Sequence, residues 1–293
     1  MRIAFIGGIG SYMDYFYKEL RNLRHEVLVN DCDKDCDVIM CENRNQWETA
    51  RDFRTKYPNI PLICWNWDWY DFLKKDGRFI GNEMFGEQPN YDEFEKLIRE
   101  SKEFWSSTEE WAIKAERDTG VKTAFKFYCF ILPWEWVGEN KDYGYIIQAS
   151  RNAPCKRFAW YAKAAEELDI PNKSYHPYNN ARPDYIRTVK NCSFAVLASR
   201  EEGVGVTPIE AAYCHKPILL ADSISFKDTW GDTANYYEMD NFEDFKKQMK
   251  WLWENYKTKE VQDRTERAYQ RVVERYLLKP WTKSISDRLE QII

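Results

Sequence analysis

Hydrophobic and polar positions alternate along the chain in two successive series of similar design. In the first, apolar runs of strand length lie at residues 2–6, 26–29, 38–41 and 61–65, and shorter ones at 104–106 and 124–127. Between them, apolar residues recur at three- and four-residue spacing over 12–23, 46–57, 91–101 and 108–119, which predicts amphipathic helices. The second series has strands at 145–149, 173–178, 194–198 and 217–221, with helices over 159–168, 184–190 and from about residue 207. Amphipathic helices over 242–256, 259–276 and 284–293 close the chain. Strands that alternate with helices predict an α/β fold with parallel sheets covered on both faces. Leu132-Pro133-Trp134 ends the first series, and the polar, glycine-containing stretch 136–143 separates it from the second.

Composition narrows this picture modestly. A chain of 293 residues suits one large domain or two ordinary ones, and its 13 Trp, 19 Tyr and 16 Phe can fill substantial cores. No window approaches the length of uninterrupted apolar sequence that a transmembrane helix needs. Met1-Arg-Ile-Ala-Phe-Ile-Gly is too short for a signal peptide and reads as a first strand. These features point to a cytoplasmic protein, or to one working inside an infected cell if the source is viral. The net charge of −5 disfavours non-specific binding to nucleic acid or anionic membranes, and essentially all of the excess lies before Trp134. The eight cysteines are scattered without paired metal spacing, so no metal site is expected. They read as reduced thiols in and near strands.

The richest stretch runs from Ser199 to Asp222, between the apolar runs 194–198 and 217–221. It reads as strand, glycine loop, helix and strand, one parallel βαβ crossover. Gly203 and Gly205 permit positive φ and a close ligand. Thr207 suits an N-cap, Pro208 the first helical position, and Glu210 the third position after the cap, a capping box. The free N–H groups at such a helix start can cradle an anion. Glu202 and Glu210, seven residues apart, resemble the E-x7-E region of retaining glycosyltransferases of the family 4, or group 1, type. In that family the first Glu lies by the donor sugar and the second binds the nucleotide's ribose. For Glu210 the ribose role and the capping role both stand open.

A second point of resemblance lies upstream. Arg151, four residues and then Lys156 follow a predicted strand, which resembles the family's G-R-x4-K-G segment, whose cations hold the donor diphosphate. Fixed cations at that place stabilise the charge that develops on a departing nucleotide diphosphate. The resemblance implies a GT-B fold, two Rossmann-like domains facing an interdomain cleft. It places an acceptor-side domain at residues 1–134, a nucleotide-sugar domain at 135–280 and a helix at 281–293 that packs back on the first. Arg151, Lys156 and the amides of Gly205, Val206 and Thr207 would hold the leaving diphosphate, and Glu202 would orient the sugar as the catalytic residue. The implied reaction is retaining and metal-independent. It uses no cofactor beyond the nucleotide-diphosphate sugar, with a UDP-sugar the first choice.

The rest of the site is read more loosely. Gly7, Gly8 and Gly10 lack the third glycine of a dinucleotide fingerprint, since Tyr12 and Met13 stand where it should be. In the resemblance this loop, Gly8 above all, faces the cleft. Asn66, Trp67 and Asp68, in the aromatic run from Trp65 to Asp71, sit at a strand end where such folds bind ligands and where an acceptor would be sought. The resemblance puts His176 and Tyr178 near the nucleobase, where either would stack on it or serve as an ordinary packed aromatic. Two departures stand out: Val204 replaces an aromatic residue between the loop glycines, and His215 replaces a glycine after Cys214. The leading reading implied by the resemblance is a glycosyltransferase acting on a saccharide, lipid-linked or small-molecule acceptor. Two alternatives remain: a virus-type enzyme that glycosylates hydroxymethylated bases in DNA, and a non-catalytic nucleotide-sugar or glycan-binding protein.

Overall fold

A computed structural model describes residues 1–7, 11–42, 47–66, 74–75, 78–79, 91–150, 154–175, 182–200 and 202–293. Among them the chain forms two compact units, one of Met1–Tyr128 with Leu278–Ile293 and the other of Cys129–Leu277. The sequence places the corresponding boundaries at residues 134 and 281.

The first unit is built on a six-stranded parallel sheet: β1 (Arg2–Ile6), β2 (Glu26–Val29), β3 (Val38–Glu42), β4 (Leu62–Asn66), β5 (Glu103–Ser106) and β6 (Thr123–Lys126). Their spatial order is β2-β1-β3-β4-β5-β6. Helices α1 (Ser11–Asn22), α2 (Trp47–Lys56), α3 (Tyr91–Glu100) and α4 (Glu109–Thr119) connect them. The inner strands β3 and β4 are buried along their whole length, which is why they read as continuous apolar runs rather than alternating ones. At the end of β1, Gly7 takes φ 115°, and a Cβ there would fall 2.5 Å from the Glu42 carbonyl oxygen. Only glycine permits β1 and β3 to approach so closely at that point.

Helix α11 (Leu278–Ile292) belongs to this first unit. It begins earlier than its sequence pattern suggests, because Pro280 sits in the first turn, where no intrahelical N–H is lost. Its Trp281 is fully buried against Phe16, with ring centroids 4.8 Å apart, and its indole N–H donates to the Phe127 carbonyl. His25 Nε2 meets Ser286 Oγ at 2.6 Å, and Arg288 grips the Glu103 carboxylate. The terminal helix therefore packs back on the first unit, as the resemblance implies.

The second unit holds a five-stranded parallel sheet of β7 (Ile146–Ala149), β8 (Asn172–Tyr175), β9 (Phe194–Leu197), β10 (Ile218–Ala221) and β11 (Asn235–Tyr237). The order is β8-β7-β9-β10-β11. Helices α5 (Phe158–Glu167), α6 (Arg182–Asn191), α7 (Val206–Tyr213), α8 (Ile224–Trp230), α9 (Phe242–Asn255) and α10 (Lys259–Arg275) surround it. The unit's two ends are pinned together: the Ile131 N–H donates to the Tyr276 carbonyl at 2.8 Å, and Ile131 bridges Leu277. The strand order of each sheet reverses between its first and third strands in sequence, and in open α/β sheets ligands bind beyond the carboxyl ends of the strands at such a switch. In the second sheet that point lies between Ala149 and Leu197.

Candidate functional site

A cavity of about 170 Å3 opens at that switch, lined by Ala149, Ser150, Lys156, Leu197, Glu202, Gly205, Val206 and Thr207. Five of the donor-site residues expected from sequence line it. Lys156 ends a 3-10 turn, Pro154–Lys156, and is only 3% exposed. The turn is fixed from two sides. The Arg200 N–H donates to the Cys155 carbonyl at 2.8 Å, and Gln148 Nε2 donates to the Lys156 carbonyl at 2.7 Å. Gln148 is a polar residue inside a buried strand, and that break in the apolar run is the signal by which sequence could have found it.

Lys156 Nζ stands 2.5 Å from Glu202 Oε2, and Ser199 Oγ donates to the same oxygen at 3.2 Å. The two residues assigned to opposite ends of a donor diphosphate sugar thus form one charge-assisted pair. Burial of an ammonium without its carboxylate would cost several kcal/mol, so each requires the other in this arrangement.

Gly205 is the N-cap of α7, with φ 72° and no side-chain cap. A Cβ there would meet Leu197, Phe226 and Pro208 at 3.2–3.3 Å. This corrects the capping-box expectation. The helix starts at Val206, so Thr207 and Pro208 lie inside its first turn. The Thr207 hydroxyl donates to the Ala149 carbonyl on β7 at 2.8 Å instead of capping. Pro208 costs nothing at this place, because the first turn has unpaired N–H groups in any case. The helix end also differs from a glycine stop. His215 adopts the left-handed conformation at φ 52°, held by stacking on Tyr269 at 3.9 Å and by Glu266 at 3.1 Å from its Nδ1.

Glu210 is 1% exposed and does not reach a backbone N–H. Its Oε2 accepts from the Tyr185 hydroxyl, which also meets Thr207 Oγ1 at 3.2 Å. Arg182 Nη2 pairs with Oε1 at 2.9 Å and with Glu135 Oε2 at 2.7 Å. Burial raises the Glu210 carboxyl to about 7, against the opposing pull of Arg182 and Tyr185. Tyr185 and Arg182 are absent from the sequence-derived set. A Tyr and an Arg three apart on an ordinary helix carry no signal of their partner in α7.

Of the remaining candidates, only Asn66 is among the described residues. Asn66 ends β4 in the first unit and is 2% exposed, next to Trp65, which is a core residue. Arg151, Gly8, Trp67, Asp68, His176 and Tyr178 lie outside the described residues. A larger cavity in the second unit, about 660 Å3, surrounds the start of β11 between Asp232, Tyr236, Trp251 and Arg264. It holds none of the expected donor-site residues, and volume alone does not make it the site. Among the described residues no group of His, Cys, Asp and Glu is arranged to hold a metal ion, and no helix is long and apolar enough to cross a membrane. None of the eight cysteines is in a disulfide.

Comparison with known proteins places this geometry. Residues 156–271 match the family model of glycosyl transferases group 1. The matched stretch opens on Lys156 and includes Glu202, the Gly205 turn and Glu210. Among solved structures, HepE of Anabaena in complex with UDP and glucose has a TM-score of 0.72 at 12% identity, covering 99% of this chain and 100% of that one. Sucrose-phosphate synthase from Thermosynechococcus elongatus gives 0.74 at 10% identity, with 100% and 99% covered. TarM of S. aureus gives 0.63 at 14% identity over 87% of this chain, which spans only 55% of that protein. At these identities the likeness carries the fold, and the fold is GT-B. No curated protein matches the chain.

Proposed function

We propose that the protein is a glycosyltransferase that moves a sugar from a nucleotide-diphosphate sugar to an acceptor hydroxyl with retained configuration. The observation that carries this is the meeting of Lys156, Glu202 and the uncapped start of α7 at the switch point of the second sheet. An anionic leaving group needs fixed positive charge where its own charge develops, and the Lys156 ammonium and the first α7 amides supply it. Arg151, by its spacing from Lys156, joins them. With this charge in place the transfer is proposed to need no divalent cation.

Without donor, Lys156 and Glu202 satisfy each other. Donor binding then exchanges partners: the diphosphate takes the ammonium, and the sugar hydroxyls take the carboxylate. The bond between the anomeric carbon and the diphosphate oxygen breaks with its electron pair going to the phosphate. The acceptor oxygen bonds to the same face and its proton passes to the departing phosphate. A nucleotide sugar needs a site of roughly 300–1,000 Å3, more than the cavity at Lys156 alone, so that cavity holds only part of the donor. HepE and TarM, of the same fold, have been seen with UDP, which supports a UDP-sugar as first choice.

Mass spectrometry of reactions pairing a panel of nucleotide sugars with saccharide, lipid-linked and hydroxymethylated-DNA acceptors tests this, with and without EDTA. Lys156→Ala and Glu202→Ala are each expected to lower turnover by about 100- to 1,000-fold in a folded protein. Wild-type turnover in both variants would refute the site. Nucleotide binding without donor consumption would identify a binding protein instead.

A further inference from the structure

The 660 Å3 cavity of the second unit has no part in the reaction as outlined. The Lys156 cavity opens beyond the carboxyl ends of β7 and β9, whereas this one flanks the edge strand β11 at its amino end. Its volume falls within the ~300–1,000 Å3 of small-ligand sites. Helix α9 supplies one wall. Phe245, Met249 and Leu252 form the buried stripe of that helix, and Lys247, Gln248 and Trp251 line the cavity beside the stripe. Lys247 and Trp251, four residues apart, are neighbours on the helix surface. Trp251 is 36% exposed, whereas Trp65, Trp105, Trp111, Trp230 and Trp281 are fully buried. The core takes up those five indoles and leaves this one partly open.

The other walls are held by contacts of their own. The Tyr236 hydroxyl donates to the Gly231 carbonyl at 2.8 Å, and the Lys227 ammonium lies 4.0 Å from the Tyr236 ring centroid. Lys227 also faces Asp222 at 3.4 Å. Arg264 donates to Asn235 Oδ1 and pairs with Glu260 at 3.1 Å, while the Asn235 amide donates to the Ile218 carbonyl. Asp232 pairs with Arg267 at 3.4 Å. Charges of both signs, mostly neutralised in pairs, give a polyanion no single-sign field to follow. They surround an aromatic face with side chains that donate and accept hydrogen bonds. A sugar ring has the matching character, with C–H groups on its faces and hydroxyls at its rim that do both.

We propose that this cavity is a non-catalytic saccharide site: a sugar ring lies on the Trp251 indole, and its hydroxyls bond to Lys247, Gln248 and the exposed carboxylates of Asp232 and Glu260. The walls are already fixed by Tyr236, Arg264 and Asn235, so a ligand has little ordering cost to meet there. The occupant is not the sugar being transferred, because the Lys156 cavity lies at the other ends of different strands. The site holds a glycan on the protein whether or not a donor is bound.

The test is an array of oligosaccharides built from glucose, N-acetylglucosamine, galactose and galacturonate, probed with the labelled full chain. Calorimetry then follows with the oligosaccharide that binds most tightly. Trp251→Ala is expected to weaken binding by on the order of tenfold or more, as truncation of a central aromatic anchor does. Trp251→Phe should keep more of the affinity, and Lys247→Ala should lose less than Trp251→Ala. Lys156→Ala and Glu202→Ala should bind the array as wild type does, and saturating UDP should displace nothing. Donor consumption in Trp251→Ala should stay near wild type. Absence of binding across the array overturns the proposal. So does binding that survives Trp251→Ala, or binding that is lost in Lys156→Ala and places the saccharide at the reaction site instead. Binding that depends on Trp251 in a chain that consumes no donor upholds the site while the functional reading fails.

Discussion

Glu210 carries a cost that the rest of α7 must offset. Its carboxyl sits at about 7 in the folded chain against an ordinary value of 4.5. The folded state therefore binds more protons than the unfolded one between those pH values, and stability falls as pH rises through that window. The sign is opposite to that of a surface carboxylate in an ion pair. Glu210→Gln removes this titration while keeping an oxygen for the Tyr185 hydroxyl. Thermal melts from pH 5 to pH 8 should show the variant gaining on wild type as pH rises, by roughly 2–4 kcal/mol at the upper end. Parallel pH profiles for the two proteins would show that Glu210 is charged without penalty. Sequence could not have revealed this. A Thr-x-x-Glu pattern is the signature of a capping box, and only Gly205 at positive φ shifts the helix start by enough to send Glu210 inward.

At the scale of elements, what sequence showed and what it hid divide by length. The inner strands were legible because burial on both faces makes them continuous apolar runs. Helices α9 and α10 were legible because 14 and 17 residues repeat the pattern over about four turns or more. Helix α8 and strand β11 were not, since seven and three residues offer no period to read. The Ser223 cap, which accepts from the Phe226 N–H, was the one local sign of α8. The Gly205 turn is where these short elements matter to the site, because Phe226 of α8 closes over it. Gly205→Ala should cost about 1–2 kcal/mol from its positive φ alone, with more from the contacts to Leu197 and Phe226. Circular dichroism melts check the stability loss, and nucleotide affinity should drop with it because α7 must move. A variant with unaltered melting temperature would mean that the turn is not constrained as described.

Across the molecule, both sheets share the strand order second, first, third, fourth, fifth, and the first adds a sixth. The alternation that predicted two α/β series is thus a faithful trace of the architecture. The return of α11 to the first unit was expected from the family resemblance alone. Its own periodicity showed one apolar face but not what would cover it. The contacts that fix it, Trp281 to Phe127 and Arg288 to Glu103, join residues more than 150 positions apart in one pair and 185 in the other. Pairings of that separation leave no trace in local pattern. The site divides in the same way. Lys156, Glu202 and the Gly205 turn were legible from spacing, whereas Ser199, Gln148, Tyr185 and Arg182 became visible only once the strands were in register.

The pairing of Ile131 with Tyr276 and Leu277 has a consequence for how the chain could be cut and rejoined. Residues 129–277 enter and leave at one spot, so they form a cassette spliced into a first unit that is itself interrupted in sequence. Among the described residues, every strand of its sheet and every wall residue of the Lys156 cavity lies within it. Produced alone, residues 129–277 should melt in one cooperative transition and bind nucleotide within about tenfold of the full chain, each factor of ten being 1.4 kcal/mol. A molten, non-cooperative product would show that the clasp is not sufficient. If the clasp suffices, the segment can be grafted into other scaffolds at a single seam.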